Sequence, residues 1–257
     1  MVLAFCGTGK RRSAVQPWGS HETGQGVAQD YKEAIKWHKL AAEQKDAEAQ
    51  YSLGVLYGKG QGVAQDYKEA MTWYKLAAGQ GHVKSQHNLG VMYESGRGVA
   101  PDPVEAMKWY KLAAKQGHAK SQYNIGAMYR NGRGVAQNHT EAMKWYRLSA
   151  EQGYAPAQHT LGLRYGDGQG VDKDPKEALK WYKLAAEQEY APAQKNLGVM
   201  YGRGEGCDRD YVLAYKWLMV ANGNERGKNM EMIKKRMTSD QIAEAQTLAR
   251  EWISSKK

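Results

Sequence analysis

Histidine is the residue type in this sequence best suited to bind a metal or to transfer a proton, and the chain contains seven. His82 and His118 stand 36 residues apart at one position of a repeating pattern, where later copies carry tyrosine. A position that accepts tyrosine indicates packing more than metal binding. His87 and His159 lie two repeats apart, about 20 Å at roughly 10 Å per helix layer, which excludes a shared metal ion. The chain contains no H-E-x-x-H, C-x-x-C or nucleophile-elbow motif, so we predict no catalytic residue, no metal and no cofactor.

Glycine-rich segments at Gly58–Gly62 and Gly166–Gly170 look like nucleotide-binding loops at first sight. Neither segment follows a predicted strand, as a phosphate-binding loop requires, so both are predicted to connect helices. Gly7–Lys10 also hints at a phosphate loop, but Ala4 stands where the first glycine of that motif is needed.

A 36-residue repeat organises the chain. The full and partial copies are Gly24–Asp46, Ala47–His82, Val83–His118, Ala119–Tyr154, Ala155–Tyr190 and Ala191 to about Asn222. Self-similarity at this period is typical of a solenoid, in which each repeat contacts only its neighbours. We therefore predict one all-α repeat solenoid over residues 24–222, between an irregular segment at 1–23 and capping helices at 223–257.

Each copy has the pattern of two helices. In the copy that begins at Ala47, small and apolar residues recur three and four apart, which predicts a first helix ending near Gly58. Asp66 followed by Glu69 predicts a capping box at the start of the second helix. The same pair recurs as Asp30/Glu33, Asp102/Glu105, Asn138/Glu141 and Asp174/Glu177.

A glycine recurs in the middle of every first helix, although it costs about 1 kcal/mol relative to alanine. These glycines are Gly54, Gly90, Gly126, Gly162 and Gly198. Their recurrence predicts that the backbone lies against an aromatic side chain of a neighbouring helix. The candidates are Trp37, Trp73, Trp109, Trp145, Trp181 and Trp217.

Two segments, Ala119–Val135 and Glu141–Gly153, carry a specific signature. They follow the pattern A-x-A-Q-x-N-L-G-x-M-Y-x-x-G-x-G-V and then E-A-x-K-W-Y-x-x-A-A-x-Q-G. The pattern resembles the Sel-one-like repeat (SLR) family, whose members are helical solenoids related to tetratricopeptide repeats, and the resemblance spans about Gly24 to Asn222. It implies a right-handed superhelix of antiparallel helix pairs. It also implies scaffold or adaptor duty, mostly in bacteria, often in assembling membrane-associated or host-interacting complexes.

A cysteine-rich branch of the same family offers an alternative function. Its members bridge the two helices of each repeat with disulfides and have been linked to penicillin binding, which would imply an enzyme directed at the cell wall or at β-lactams. The present chain has only Cys6 and Cys207 and lacks those pairs. We therefore predict that the chain is not an enzyme, and a nitrocefin assay distinguishes the two readings.

The net charge of +10 is spread along the chain and forms no basic patch, which argues against a nucleic-acid partner. Four lysines follow a glutamate by three residues, a spacing typical of a solvated helix face. An anionic surface or partner stays an alternative, and a weak salt dependence of heparin retention would exclude it. No segment is long and apolar enough to span a membrane.

The first helices are expected to line the concave side of the solenoid. One row of equivalent positions there, called the amide row, reads Ser52, Asn88, Asn124, Thr160 and Asn196. The aliphatic row reads Val55, Val91, Ala127, Leu163 and Val199, and the methionine row reads Leu56, Met92, Met128, Arg164 and Met200. Amides can bond a peptide backbone and methionine adapts to varied side chains, so the amide row with Met92, Met128 and Met200 is predicted to bind a protein or peptide partner. The alternative is that these rows only pack between repeats.

The N-terminal copy lacks a recognisable first helix, which would leave the apolar face of the helix near Tyr31–Glu43 without its usual cover. Val15 and Trp18 are predicted to cover it, or a second chain does so in an end-to-end dimer. As the sequence stands it predicts a cytoplasmic protein, and a leader preceding Met1 would instead indicate a periplasmic or exported one.

Overall fold

The computed structural model describes residues 30–223 and 227–256, and all regular secondary structure in these residues is helical. The helices of this described part are α1 (Tyr31–Glu43), α2 (Ala47–Lys59), α3 (Tyr67–Gly79), α4 (Val83–Ser95), α5 (Pro103–Lys115), α6 (Ala119–Asn131), α7 (His139–Glu151), α8 (Ala155–Asp167), α9 (Pro175–Glu187), α10 (Ala191–Arg203), α11 (Tyr211–Asn222), α12 (Lys228–Lys234) and α13 (Ser239–Ser254). The predicted all-α architecture of 36-residue helix pairs is confirmed. The predicted cover by Val15 and Trp18 lies outside the described residues.

The chain divides into two compact units between Asp102 and Pro103. Nothing in the repeat pattern marks this boundary, which falls between the two helices of one repeat. Within each unit, a second helix packs against the first helix of its own repeat and against that of the next repeat. Helix α3 contacts α2 and α4 in this way, and α7 contacts α6 and α8.

The second helices begin at the predicted caps, but the caps form only half of the predicted box. The Asp66 carboxylate accepts hydrogen bonds from the backbone N–H groups of Lys68 and Glu69, at 2.9 and 3.0 Å. The backbone N–H of Asp66 itself donates to the Tyr57 carbonyl at 3.0 Å, so it is not available to a returning glutamate. Glu69 accepts from Trp73 Nε1 instead. The other glutamates accept from a lysine one turn later, in the pairs Glu33–Lys36, Glu105–Lys108, Glu141–Lys144 and Glu177–Lys180.

The side chain that contacts the mid-helix glycine is a tyrosine, so the prediction of tryptophan is wrong. A Cβ atom on Gly126 would lie 2.8 Å from Cδ1 of Tyr146. The same contact occurs between Gly54 and Tyr74 and between Gly162 and Tyr182, and leucine replaces the ring between Gly198 and Leu218. Tryptophan precedes tyrosine by one residue in these repeats, and successive helical residues point about 100° apart, so only one ring can face the first helix. Tyr146 is buried there, while Trp145 is half-buried.

Each first helix ends in a turn with two left-handed glycines. Gly60 ends α2 with φ 69°, a conformation that glycine adopts without a steric penalty. Gly62 also has a positive φ, and a Cβ atom there would lie 2.7 Å from the backbone carbon of Tyr31 in the preceding repeat. The same approach to a backbone recurs between Gly134 and Pro103, Gly170 and His139, and Gly206 and Pro175. A backbone contact of this kind fixes one repeat against the next without depending on a particular side chain.

Helices α12 and α13 lie in the segment where capping helices are predicted. Thr238 and Gln241 form a complete capping box at the start of α13. Met230 and Ile233 of α12 are buried, as are Ala245 and Ala249 of α13. Helix α13 packs on α11, which is the second helix of the last repeat.

Candidate partner-binding surface

The amide row lies where each first helix meets the second helix of the preceding repeat. The Asn88 amide acts on the Tyr74 hydroxyl, and the Asn196 amide acts on that of Tyr182. Burial raises the pKa of both tyrosines to about 12, and the asparagine opposes this shift by lowering the pKa of its partner. The two hydroxyls are therefore protonated at neutral pH. Asn88 and Asn196 are themselves half-buried.

Ser52 and Asn124 are also half-buried, whereas Thr160 is buried. Part of each asparagine side chain therefore stays accessible, as a peptide-binding role requires. Whether a partner uses these atoms stays a prediction.

The three methionines of the methionine row are largely buried. Met92, Met128 and Met200 are 5, 1 and 6% exposed. Each stands three residues after a fully buried leucine or isoleucine of the same helix, so it continues the stripe that faces the second helices. Met92 and Met200 nevertheless line the two cavities described below. Whether the methionine row contacts a partner therefore stays a prediction, as it does for the amide row.

Two equivalent cavities open between successive first helices, one in each unit. The cavity of the first unit has a volume of about 300 Å³, and its lining includes Val55, Tyr74, Asn88 and Val91. The cavity of the second unit has a volume of about 280 Å³, and its lining includes Leu163, Tyr182, Asn196 and Val199. Each residue of the second set stands three repeats after its counterpart in the first set. The same combination of amide, tyrosine and two aliphatic side chains therefore forms a recess twice.

The charged residues at the two cavities differ. Lys59 and Arg97 border the cavity of the first unit. The cavity of the second unit is bordered by both signs of charge, from Asp167, Lys173, Arg203 and Glu205. The two cavities therefore share their shape and apolar lining but differ in the charges at their borders. This combination suits one mode of binding with a different side-chain preference at each cavity.

His159 joins the polar cluster beside the second cavity. Its Nε2 lies 3.1 Å from Nδ2 of Asn196, and its ring centroid lies 5.6 Å from that of Tyr182 and 5.4 Å from that of Tyr190. Because the amide nitrogen can only donate, Nε2 accepts, which requires an unprotonated nitrogen. Burial lowers the pKa of His159, consistent with a neutral ring. Its neighbours are an amide and two tyrosines, which suit packing better than metal binding.

Buried glutamines form a polar ladder along the first helices, which was not among the predicted functional residues. Gln158 Nε2 donates to the Ala150 carbonyl at 3.1 Å, and Gln158 Oε1 accepts from Gln188 Nε2 at 2.7 Å. Equivalent bonds to a carbonyl eight residues earlier are made by Gln50, Gln86, Gln122 and Gln194. The sequence does carry a signal for this ladder. A glutamine recurs within the apolar stripe of each first helix, and in several repeats a second glutamine follows it 30 residues later.

His82 and His118 are helix N-caps. His82 Nδ1 accepts from the Ser85 backbone N–H at 3.2 Å, and His118 Nδ1 accepts from that of Ser121 at 3.3 Å. Tyr154 occupies the same position without a side-chain cap. Across residues 30–223 and 227–256, no cluster of three histidine, cysteine, aspartate or glutamate side chains is arranged to hold a metal ion. No helix in that described part is long and apolar enough to cross a membrane.

Paired helices at a 36-residue period define an α-helical repeat protein of the class that commonly mediates protein–protein interaction. The Sel1 repeat family model matches residues 19–46, 47–82, 83–118, 119–154, 155–190 and 191–218. The chain therefore belongs to the Sel1 repeat family, which confirms the resemblance read from the sequence. Repeat proteins of this family are generally non-catalytic scaffolds.

Solved structures include several that are similar to this chain. A Sel1 repeat protein from Oxalobacter formigenes is 34% identical with a TM-score of 0.72, over 88% of this chain and 93% of that one. The protective antigen c5321 of uropathogenic Escherichia coli, which has an SLR fold, is 27% identical with a TM-score of 0.49, over 92% and 75%. The immunity protein Pa5087 from Pseudomonas aeruginosa is 18% identical with a TM-score of 0.50, over 94% and 84%, and shares the fold alone. No curated protein sequence matches the chain.

Proposed function

We propose that the protein is a non-catalytic scaffold whose first-helix surface binds an extended segment of a protein partner. The proposal is carried by the recess that recurs at equivalent positions in both units, lined each time by asparagine, tyrosine and two aliphatic residues. Adjacent helices are about 10 Å apart and an extended chain rises about 3.3 Å per residue, so one repeat accommodates about three residues of such a segment.

The aliphatic row supplies the contact area and the amide row supplies hydrogen bonds. Leu163 and Val199 are half-buried, so their outer atoms remain available to a partner side chain. The Asn196 side chain already bonds His159, and the residue as a whole is half-buried and not fully enclosed. A simultaneous change of the asparagines to alanine is a poor test, because it would also remove the partner of a buried tyrosine hydroxyl.

A sharper test places charge in the recess and leaves the amides intact. Leu163→Glu combined with Val199→Glu should abolish partner capture from the native host, because the aliphatic contact becomes a desolvated carboxylate. The matched control is Leu184→Glu, which changes a leucine that is 43% exposed on the second helix α9. Circular dichroism checks that both variants stay folded.

The captured protein is then mapped with overlapping peptides, and a single linear segment should reproduce binding. Loss of capture by Leu184→Glu with retention by the recess variant would place the interface on the second helices and refute the proposal. Binding that only the intact partner fold can reproduce would refute the extended segment.

A further inference from the structure

The repeat Ala155–Tyr190 differs, at two positions four residues apart on α8, from the three repeats that carry asparagine and methionine there. Thr160 replaces the asparagine found at positions 88, 124 and 196, and Arg164 replaces the methionine found at positions 92, 128 and 200. Residues four apart lie on the same face of a helix, so both changes affect one place. That place faces Tyr146, the counterpart of Tyr74 and Tyr182.

The first change leaves a buried hydroxyl without a partner. Tyr146 is 1% exposed and its hydroxyl makes no hydrogen bond, whereas Tyr74 and Tyr182 each have an asparagine amide that acts on the hydroxyl. Thr160 does not take over this role, because its Oγ1 donates to the Pro156 carbonyl of its own helix at 2.9 Å. Native proteins seldom leave a buried polar group unpaired, so this hydroxyl calls for an explanation.

The second change brings an unsatisfied cation to the same place. Arg164 donates from one terminal nitrogen to Gln169, while its Nε is buried and has no partner. Burial raises the pKa of Tyr146 to about 12, and the charges of Arg130 and Arg164 act against this rise. Arg164 lies four residues after Thr160 on the same helix face, so its guanidinium belongs to the surroundings of the phenolic oxygen. The unpaired groups are both donors, and a positive charge lies beside them.

We propose that Tyr146 and Arg164 form a carboxylate-binding site between α7 and α8, which receives an acidic side chain of the partner segment. This inference rests on the proposed function and specifies its preference at one repeat. A carboxylate has two acceptor oxygens and no donor, so it can accept from the Arg164 Nε–H and the Tyr146 hydroxyl together. Both donors are shielded in this structure, so entry requires the Arg164 side chain to rotate away from Gln169, which the torsions of an arginine side chain allow.

The test uses N-acetyl-glutamate amide as a probe and the neutral N-acetyl-glutamine amide as its isostere. The Arg164 Nε–H resonance is followed by nitrogen–proton correlation spectroscopy at constant ionic strength. The acidic probe should shift this resonance saturably and the neutral probe should not. Arg164→Met should weaken binding of the acidic probe at least tenfold, and Thr160→Asn should weaken it severalfold by supplying Tyr146 with an internal partner. Both variants restore residues found at equivalent positions, so their folding is expected to be retained.

Failure of the inference is distinct from failure of the proposed function. No saturable shift, equal shifts with both probes, or unchanged affinity in Arg164→Met would overturn the carboxylate site, even if the recess variants still lose the partner. Tighter binding of inorganic phosphate than of the acidic probe would likewise overturn it. A saturable response to the acidic probe alone, lost in Arg164→Met, supports the site even if the extended-segment proposal fails.

Discussion

Replacing Thr160 with asparagine should stabilise the folded protein by about 1 kcal/mol, although Thr160 lines neither of the two cavities described above. A buried donor without a partner costs about 1–3 kcal/mol, and the Tyr146 hydroxyl is such a donor. Two costs offset part of this gain. Ordering a new asparagine side chain costs roughly 0.5–1 kcal/mol, and the weak local hydrogen bond from Thr160 to the Pro156 carbonyl is lost. Asparagine and threonine have similar helix propensity, so the helix itself is nearly unaffected.

The measurement is urea unfolding followed by circular dichroism, with the slope of the transition compared between variants. A gain of about 1 kcal/mol corresponds to an increase in melting temperature of roughly 2–4 °C for a chain of this size. Repeat proteins can unfold in more than one step, so the two midpoints are compared only if the slopes agree.

A double-mutant cycle isolates the pair. Tyr146→Phe alone should be neutral or stabilising, because it removes the unpaired hydroxyl and keeps the ring on Gly126. In the Thr160→Asn background the same change should cost about 1 kcal/mol, since it removes a formed bond. The matched control is Tyr182→Phe, which should destabilise because Tyr182 already has Asn196. Equal effects of Thr160→Asn with and without the Tyr146 hydroxyl would refute the reasoning.

Two further predictions follow from the glycines and from His159. Gly126→Ala should destabilise by about 1–3 kcal/mol, because the added Cβ lies 2.8 Å from the Tyr146 ring and 3.2 Å from the Ala142 carbonyl. Gly166→Ala should instead stabilise the folded protein by up to about 1 kcal/mol, because Gly166 is helical and nothing lies within 4 Å of the added Cβ. Equal melting temperatures of the Gly126→Ala and Gly166→Ala variants would contradict the packing argument. Burial lowers the pKa of His159 in the folded state, so the unfolded chain binds the proton more readily and stability should fall as the pH drops below about 6.5. His159→Tyr, the residue of equivalent positions 51 and 123, should lose less stability on acidification, and identical pH profiles would exclude His159 as the cause.

The helices could be predicted because their signals are local. Asp66 caps α3 and the glycine after each first helix ends it, and such signals depend on a few neighbouring residues. The prediction of a complete capping box at Asp66 and Glu69 was wrong in its second hydrogen bond, because the Asp66 N–H bonds a group that is distant in sequence. The N–H of Asp66 bonds the Tyr57 carbonyl nine residues earlier, and no local pattern reveals that competition.

The choice between Trp145 and Tyr146 against Gly126 depended on the rotation of a whole helix, which a sequence fixes only to within about one residue. The same uncertainty placed Met128 on the accessible side, whereas it is 1% exposed. The amide row was located correctly on the first helices, but its bond to the tyrosine of the preceding repeat required two helices to be docked. Arg164 was visible as a departure from methionine, and its meaning emerged only once Tyr146 was found without a partner.

The left-handed glycines that touch the preceding repeat have a consequence for how such a chain changes length. Gly134 meets the backbone of Pro103, Gly170 meets that of His139, and Gly62 meets that of Tyr31, so three unlike side chains serve the same joint. These contacts involve main-chain atoms and Cβ, which all three residues possess, so they do not depend on the rest of the side chain. Whole 36-residue repeats can therefore be duplicated or deleted without a change at the contact between repeats. Insertion of a few residues inside a repeat would instead misplace the glycine and break this contact.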